Sequence, residues 1–273
     1  MKFDDHIHLG NIWGNKRTET IRTSVKEVKE YIQSNELTHC CILYTDYHEF
    51  LELKNELPDV TFYGCKWVTD FENLVLDKKA CGIKLHSSRG PQGPIDYVDR
   101  RMNGLLEQLP DNYIVYFHTS EMLSTKSQST PLVVFTHAIK FPKLKFIVGH
   151  SGSFGLRTFY PTNKDKPGYK ACLKIALLSE CMVETAITGA DKLKNVYLDS
   201  SLLINRGTPK VWVLAKSKRW CFGSDYPFNK VVGSTEHTPI KSQEELMIKS
   251  FNHTREDIDR IHLNGIQFFE NQL

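Results

Sequence analysis

The stretch YIVYFH (residues 113–118), with PLVVFTHAIK (131–140) and LKFIVGH (144–150) after it, carries the reading that decides the fold. The first and third segments are short apolar runs of strand character, and each ends on a histidine. The segment between them has apolar residues at helical spacing with polar ones interleaved. Strand, crossover helix and strand make one βαβ unit, whose two strands must run parallel.

The same alternation extends in both directions. Candidate strands are Lys2–His8, Thr38–Tyr44, Thr61–Trp67, Gly82–His86, Tyr113–His118, Leu144–His150, Asn195–Asp199 and Trp220–Ser224. Amphipathic stretches lie between them, among them Ser24–Gln33, Ile95–Leu109, Pro131–Lys140 and Tyr169–Met182. Parallel strands in this number form either an open doubly wound sheet or a closed barrel. The open form would be signalled by a G-x-G-x-x-G phosphate loop after the first strand, and that position has none. The expectation is an α/β chain folded as one (β/α)8 TIM barrel over residues 1–273. Turn punctuation is confined to loops such as Arg89–Pro94, Thr162–Gly168 and Arg206–Pro209, with no linker or internal repeat. From about Thr254, a candidate N-cap, the tail reads as two short helices, Arg255–Leu263 and Gly265–Asn271, packed on the barrel.

Composition narrows the function classes. The chain has 273 residues, 40% hydrophobic and 25% charged, an ordinary globular balance. A net charge of +3, with basic residues scattered apart from pairs such as Lys78-Lys79 and Arg100-Arg101, gives no nucleic-acid footprint. The seven cysteines include no C-x-x-C pair and sit largely in apolar runs, which reads as buried free thiols in a reducing compartment. No basic-plus-apolar leader opens the sequence, and no apolar run nears the roughly 18 residues of a membrane span. A cytoplasmic protein without nucleic-acid or membrane partners is expected.

Chemistry is concentrated at the strand ends. Asp5-His6-Ile7-His8 closes the first strand, and residues two apart on a strand point the same way, so both imidazoles face inward. His118 closes the fifth strand, His150 the sixth, and Asp225 follows the eighth. In a parallel barrel these C-terminal ends converge on the face where barrel enzymes keep their active sites. Imidazoles and a carboxylate in that mixture suit Zn²⁺ or a similar divalent ion. Lys84 and His86, also two apart, should face inward from the fourth strand, and Asp199 ends the seventh.

These residues resemble the amidohydrolase superfamily, in particular its amidohydrolase-related (amidohydrolase 2) branch of metal-dependent hydrolases and decarboxylases. The resemblance spans nearly the whole chain through DHIH (5–8), GIKLH (82–86), FH (117–118), GHSG (149–152), VYLD (196–199) and, most specifically, FGSDYPF (222–228). It implies that His6, His8 and His118 are metal ligands and that Asp225 is a ligand and the proton-handling carboxylate. His150 is either a further ligand or a catalytic imidazole that stabilises a developing oxyanion. The implied cofactor is one divalent ion, Zn²⁺ or else Mn²⁺, although relatives that carboxylate a strand-four lysine hold two, which is the alternative for Lys84. Asp199 and His86 would be additional metal ligands or would support the ligands. The implied activity is metal-dependent hydrolysis with a metal-activated water, on a small substrate such as an amide or lactone, and the relatives imply a homodimer.

The loops offer Trp13, Arg89, Arg157, Tyr160 and Tyr226 for substrate binding, and the arginines suit a carboxylate. Non-oxidative decarboxylation by the same residues is the alternative reaction. Phosphoester chemistry fits less well, because Lys84 stands where those barrels carry a glutamate. A non-catalytic binding barrel would be expected to have lost a ligand. His39, His48, His137, His237, His253 and His262 fall outside the strand-end pattern and read as structural or surface residues.

Overall fold

In a computed structural model of the protein, nine strands form one curled sheet in the order β2-β1-β3-β4-β5-β6-β7-β8-β9. The structure describes residues 1–13, 20–68, 79–86, 96–120, 130–154, 185–201, 219–228, 237, 239–251 and 253–270. The strands are β1 (Phe3–Trp13), β2 (Thr20–Thr23), β3 (His39–Tyr44), β4 (Thr61–Trp67), β5 (Gly82–His86), β6 (Ile114–Ser120), β7 (Lys145–Phe154), β8 (Val196–Asp199) and β9 (Trp220–Cys221). The helices are α1 (Val25–Ser34), α2 (Tyr47–Glu56), α3 (Arg100–Glu107), α4 (Pro131–Lys140), α5 (Ile240–Phe251) and α6 (Arg255–Glu270), and residues 185–192 are also helical. All eight expected strands are present and pair in parallel. Past β9 the chain runs beside β1, where the amides of Asp5 and His8 donate to the carbonyls of Phe222 (2.8 Å) and Tyr226 (2.9 Å). The two ends of the sheet thus meet, as a barrel requires.

Three features differ from the sequence reading. β1 runs on to Trp13 and forms an antiparallel hairpin with β2, a four-residue strand too short and polar to stand out in the pattern. The last strand is regular only over Trp220–Cys221, and by Asp225 the backbone has turned to φ 63°. The tail is one helix, α6, in place of two. Its Gly265 does not break it, because the bare Cα lies against Phe3, where an added Cβ would come within 2.1 Å of the ring. Thr254 does cap this helix, accepting from the Asp257 amide at 3.1 Å and donating to its carboxylate at 3.0 Å. The expected helix Tyr169–Met182 and the three loops named above lie outside the described residues.

Two apolar layers hold these elements. Outward-facing strand residues such as Ile42, Val115, Val148 and Leu198 pack with Val28, Leu53, Leu106 and Val134 of the helices. Inward-facing Leu43, Cys65, Tyr116, Ile147 and Cys221 fill the barrel, and Ile266, Phe268 and Phe269 of α6 join them. Lys145, which opens β7, donates to the Phe268 carbonyl (2.9 Å), so α6 closes the end of the barrel where the strands begin. The opposite end is left to the polar residues. The five described cysteines are free thiols. No described helix is long and apolar enough to cross a membrane.

Candidate metal centre

β1 sets the geometry through a bulge. Asp4 aligns with Cys40 but Ile7 with Ile42, so β1 carries one residue more than β3 over this span. The extra residue resets the alternation. Asp4 points out of the barrel, accepting from Tyr31 Oη on α1 (3.0 Å), while Asp5 and His6, although consecutive, both turn inward. His8 then faces inward with His6, their ring centroids 4.9 Å apart.

His6 is the most connected of these groups. Its Nδ1 lies 2.7 Å from Asp199 Oδ2, and its Nε2 is 3.1 Å from Asp225 Oδ1 and 3.3 Å from Lys84 Nζ. His8 Nε2 reaches the same Asp225 oxygen at 3.1 Å, with its ring against Trp67. His118 stacks on His86 at 3.8 Å and meets His150 through an Nδ1–Nε2 contact of 3.0 Å. Tyr97 Oη, on the run into α3, holds the ends of β5 and β6 together through the carbonyls of Leu85 (3.1 Å) and His118 (2.7 Å). His137 supports that tyrosine at its carbonyl (2.8 Å), and His262 holds the backbone of Phe3, both structural as expected.

Glycines in the sequence motifs are there because carboxylates and backbone crowd them. A Cβ on Gly223 would fall 2.2 Å from Asp199 Oδ1 and 2.3 Å from Asp5 Oδ1, and one on Gly149 would fall 2.6 Å from the Phe117 carbonyl. His150, Ser151 and Asp225 adopt φ of 56°, 45° and 63°, conformations that β-carbon-bearing residues rarely take.

Burial sets the charge states. It pushes His6, His118 and His150 well below the usual imidazole range, with neighbouring Lys84 or imidazoles adding to the effect, and lowers His8 against the pull of Asp225. All four imidazoles are therefore neutral near pH 7 and carry lone pairs. Asp5 is raised well above the carboxylate range by burial and by Asp199, and both its oxygens lack hydrogen-bond partners. Lys84, fully buried, is pulled down to about 8 by desolvation, against Asp199, Asp225 and Asp5.

This donor set fits a divalent cation. Ligand atoms of His6, His150 and Asp225 lie within 4.8 Å of one another, His8 joins through the shared Asp225 oxygen, and His118 borders His150. His8 Nδ1 is buried with no hydrogen-bond partner, leaving a second nitrogen at the cluster uncommitted.

No family model matches the sequence, and no curated protein does. Solved structures do match. An amidohydrolase from Burkholderia multivorans with bound zinc superposes at TM-score 0.66 and 12% identity, over 99% of each chain. Amidohydrolase 2 from Bifidobacterium longum subsp. infantis gives 0.58 at 13%, over 98% of each chain. IDCase from Metarhizium anisopliae, in apo form, gives 0.55 at 12%, over 100% of this chain and 97% of that one. The fold is the TIM barrel that these structures share.

Within that barrel, the expected ligands His6, His8, His118 and Asp225 are buried together with His150, Lys84, His86 and Asp199. Tyr226 is not with them. Its ring stacks on Tyr31 of α1 at 4.1 Å and lies 4.7 Å from His237, on the helix side of the sheet. Its expected place at the substrate is therefore corrected. Arg89, Arg157, Tyr160 and the Trp13 side chain lie outside the described residues.

Of the two roles expected for His150, the cluster with His6 and Asp225 matches a further ligand more closely than an oxyanion donor. Both its ring nitrogens are engaged, Nδ1 by Ser201 and Nε2 by His118, so it presents no free N–H to an oxyanion. Sequence reasoning gave no role to Asp5, Tyr116 or Ser201. Asp5 stood inside the quoted motif, Tyr116 sits two residues before His118 on β6, and Ser201 sits two residues after Asp199.

Proposed function

We propose that the protein is a metal-dependent hydrolase of the amidohydrolase superfamily, acting on a small carboxylate-bearing molecule such as an amide or lactone. The observation that carries this reading is the convergence of neutral buried imidazoles and the Asp225 carboxylate at the strand-end mouth of an amidohydrolase-type barrel. His6, His8, His118 and Asp225 would hold one divalent ion, with zinc the first choice. Such an ion supplies a Lewis acid that polarises a carbonyl and makes water acidic enough to be deprotonated near neutrality.

The chain's own residues do the rest. Asp199 holds His6 through Nδ1, which leaves Nε2 directed at the site. Asp225 Oδ1 is the base: it faces His6 and His8, is nearly buried, and is placed to take a proton from water and return it to the leaving group. His118 is itself held by stacking on His86 at 3.8 Å. The carboxylate-bearing substrate is supported by the sequence alone, through Arg89 and Arg157.

The test is elemental analysis of purified protein beside the His6→Ala/His8→Ala variant, followed by assays of lactones, amides and carboxylic acids with the metal found. About one zinc or manganese per chain, lost in the variant, with turnover of an amide or lactone supports the proposal. Release of carbon dioxide without hydrolysis would make the protein a decarboxylase instead. A wild-type chain that takes up no added metal would remove the enzyme reading.

A further inference from the structure

Ser201 lies where three groups of the site meet. Its Oγ is 2.5 Å from Asp199 Oδ2, 2.8 Å from His150 Nδ1 and 2.9 Å from His6 Nδ1, and its own amide donates to Asp199 Oδ1 at 2.6 Å. The residue is fully buried, and its side chain and backbone grip the same carboxylate.

We infer that Ser201 is a positioning residue that selects the ring tautomers of His150 and, through it, of His118, and so decides on which nitrogen each ring carries its lone pair. The argument counts protons. A carboxylate only accepts, so the three groups around Asp199 Oδ2 must each present a hydrogen to it: His6 Nδ1–H at 2.7 Å, the His150 amide at 3.1 Å and the Ser201 hydroxyl at 2.5 Å. A serine hydroxyl has one hydrogen. Once that hydrogen is given to Asp199, Ser201 Oγ can only accept from His150 Nδ1. The Ser201 carbonyl, 3.3 Å from the same nitrogen, can also only accept.

His150 must therefore carry its hydrogen on Nδ1 and keep a lone pair on Nε2. That lone pair lies 3.0 Å from His118 Nδ1, which then has to donate. His118 then carries its hydrogen on Nδ1 and its lone pair on Nε2. Four residues from three strand ends, Asp199, Ser201, His150 and His118, form one directed chain of hydrogen bonds whose sense is set at Asp199. Ser201 is the link whose single hydrogen transmits that sense. Without its Oγ, His150 could reverse, donating from Nε2 to His118 Nδ1 and turning the His118 hydrogen to Nε2.

The tautomers can be read without metal or substrate. Long-range ¹H–¹⁵N correlation on chelator-treated, ¹⁵N-histidine-labelled full-length protein separates Nδ1–H from Nε2–H rings. The wild type is expected to show His6, His118 and His150 as Nδ1–H forms. Ser201→Ala should convert His118 and His150 to mixtures, and Ser201→Thr, which restores the hydroxyl, should return them. A wild-type His150 protonated on Nε2 would overturn the inference, as would a folded Ser201→Ala protein with both rings unchanged. If Ser201→Ala does not fold, the wild-type and Ser201→Thr spectra still decide.

A second readout rests on the proposed metal reading: zinc affinity should fall about 10- to 100-fold in Ser201→Ala and recover in Ser201→Thr. Equal zinc affinity in the folded Ser201→Ala protein would overturn the link from tautomer to ligand. A wild type that fails to bind zinc would remove the metal reading and leave the tautomer result standing.

Discussion

Replacing Gly223 by alanine puts the largest demand on the site for the smallest chemical change. The added methyl would lie 2.2 Å from Asp199 Oδ1 and 2.3 Å from Asp5 Oδ1, far inside contact distance, and both carboxyls are fully buried. Asp199 cannot retreat freely, because it is held by His6, Ser201 and the His150 amide. Overpacking of this kind costs about 1–3 kcal/mol. For a chain of this length each kcal/mol shifts Tm by about 2–4 °C, so the metal-free variant should melt roughly 2–12 °C lower. Displacing the carboxylate that supports His6 should also weaken zinc binding about 10- to 100-fold. Gly104→Ala is the matched control: that glycine lies within α3 with nothing within 4 Å of an added Cβ. It should gain roughly 0.5–1 kcal/mol from the same methyl and leave zinc affinity unchanged. Scanning calorimetry and zinc titration on both variants give the answer. If Gly223→Ala melted within a degree of wild type and bound zinc equally well, the crowded carboxylate pair would not constrain the site.

Other outcomes follow from the same geometry. Metal-free protein should lose stability on acidification below about pH 6.5: the buried imidazoles have folded pKa values below their unfolded value of 6.5, so the unfolded chain takes up protons first. Denaturant midpoints at pH 7.5 and 5.5 in chelator test this, and a higher midpoint at the lower pH would refute it. Asp4, raised by burial from 3.8 to about 6, acts in the opposite sense, its contribution being present below 3.8 and lost as pH rises through about 6. Asp4→Asn should therefore steepen the acid loss in that window, and an unchanged slope would count against it. Gly265→Val should destabilise the fold by about 1–3 kcal/mol by driving α6 off Phe3, without changing zinc stoichiometry; loss of metal there would show that α6 shapes the site. Tyr226→Phe keeps the stack on Tyr31 and should leave KM unchanged for any substrate found, whereas a raised KM would return Tyr226 to the substrate.

The barrel was legible because its strands are buried on both faces and write themselves as continuous apolar runs. Apart from Ser120 and Phe154, the ladder residues of β3 to β8 fall inside the segments read from YIVYFH and its counterparts. What escaped was governed by single residues with no periodic signature. The β1 bulge is one inserted residue, and it alone brings Asp5 inward beside His6. Gly265 resembles a helix stop until Phe3, far away in sequence, is placed against it. Ser201 sits in an ordinary-looking Asp-Ser-Ser stretch, and its role depends on β1 and β7 arriving at the same point. Tyr226 was drawn to the site by its neighbour Asp225, whereas its stacking on Tyr31 depends on α1 arriving beside it. Sequence spacing thus brought the expected ligands to one end of the barrel but missed the groups that orient them, because orientation depends on which strands become neighbours.

The backbone at the mouth explains why those orienting groups are numerous. Five described non-glycine residues have positive φ, and three of them, His150, Ser151 and Asp225, stand at this end of the barrel. Each such conformation costs on the order of 1–3 kcal/mol unless its surroundings hold it. Here they do: the His150 amide is fixed on Asp199 at 3.1 Å, Ser151 Oγ on the Asp199 carbonyl at 2.7 Å, and the Asp225 carbonyl accepts from Phe228 at 2.6 Å. Two of the three are anchored to Asp199, the residue that also orients His6 and takes the Ser201 hydrogen. The Asp199 carboxylate therefore holds the strained backbone at His150 on β7, the position of His6 on β1 and the tautomer chain to β6. Asp199→Asn would disturb all three together, whereas Ser201→Ala disturbs the last. Comparing those two variants separates a backbone held in place from a proton held in place.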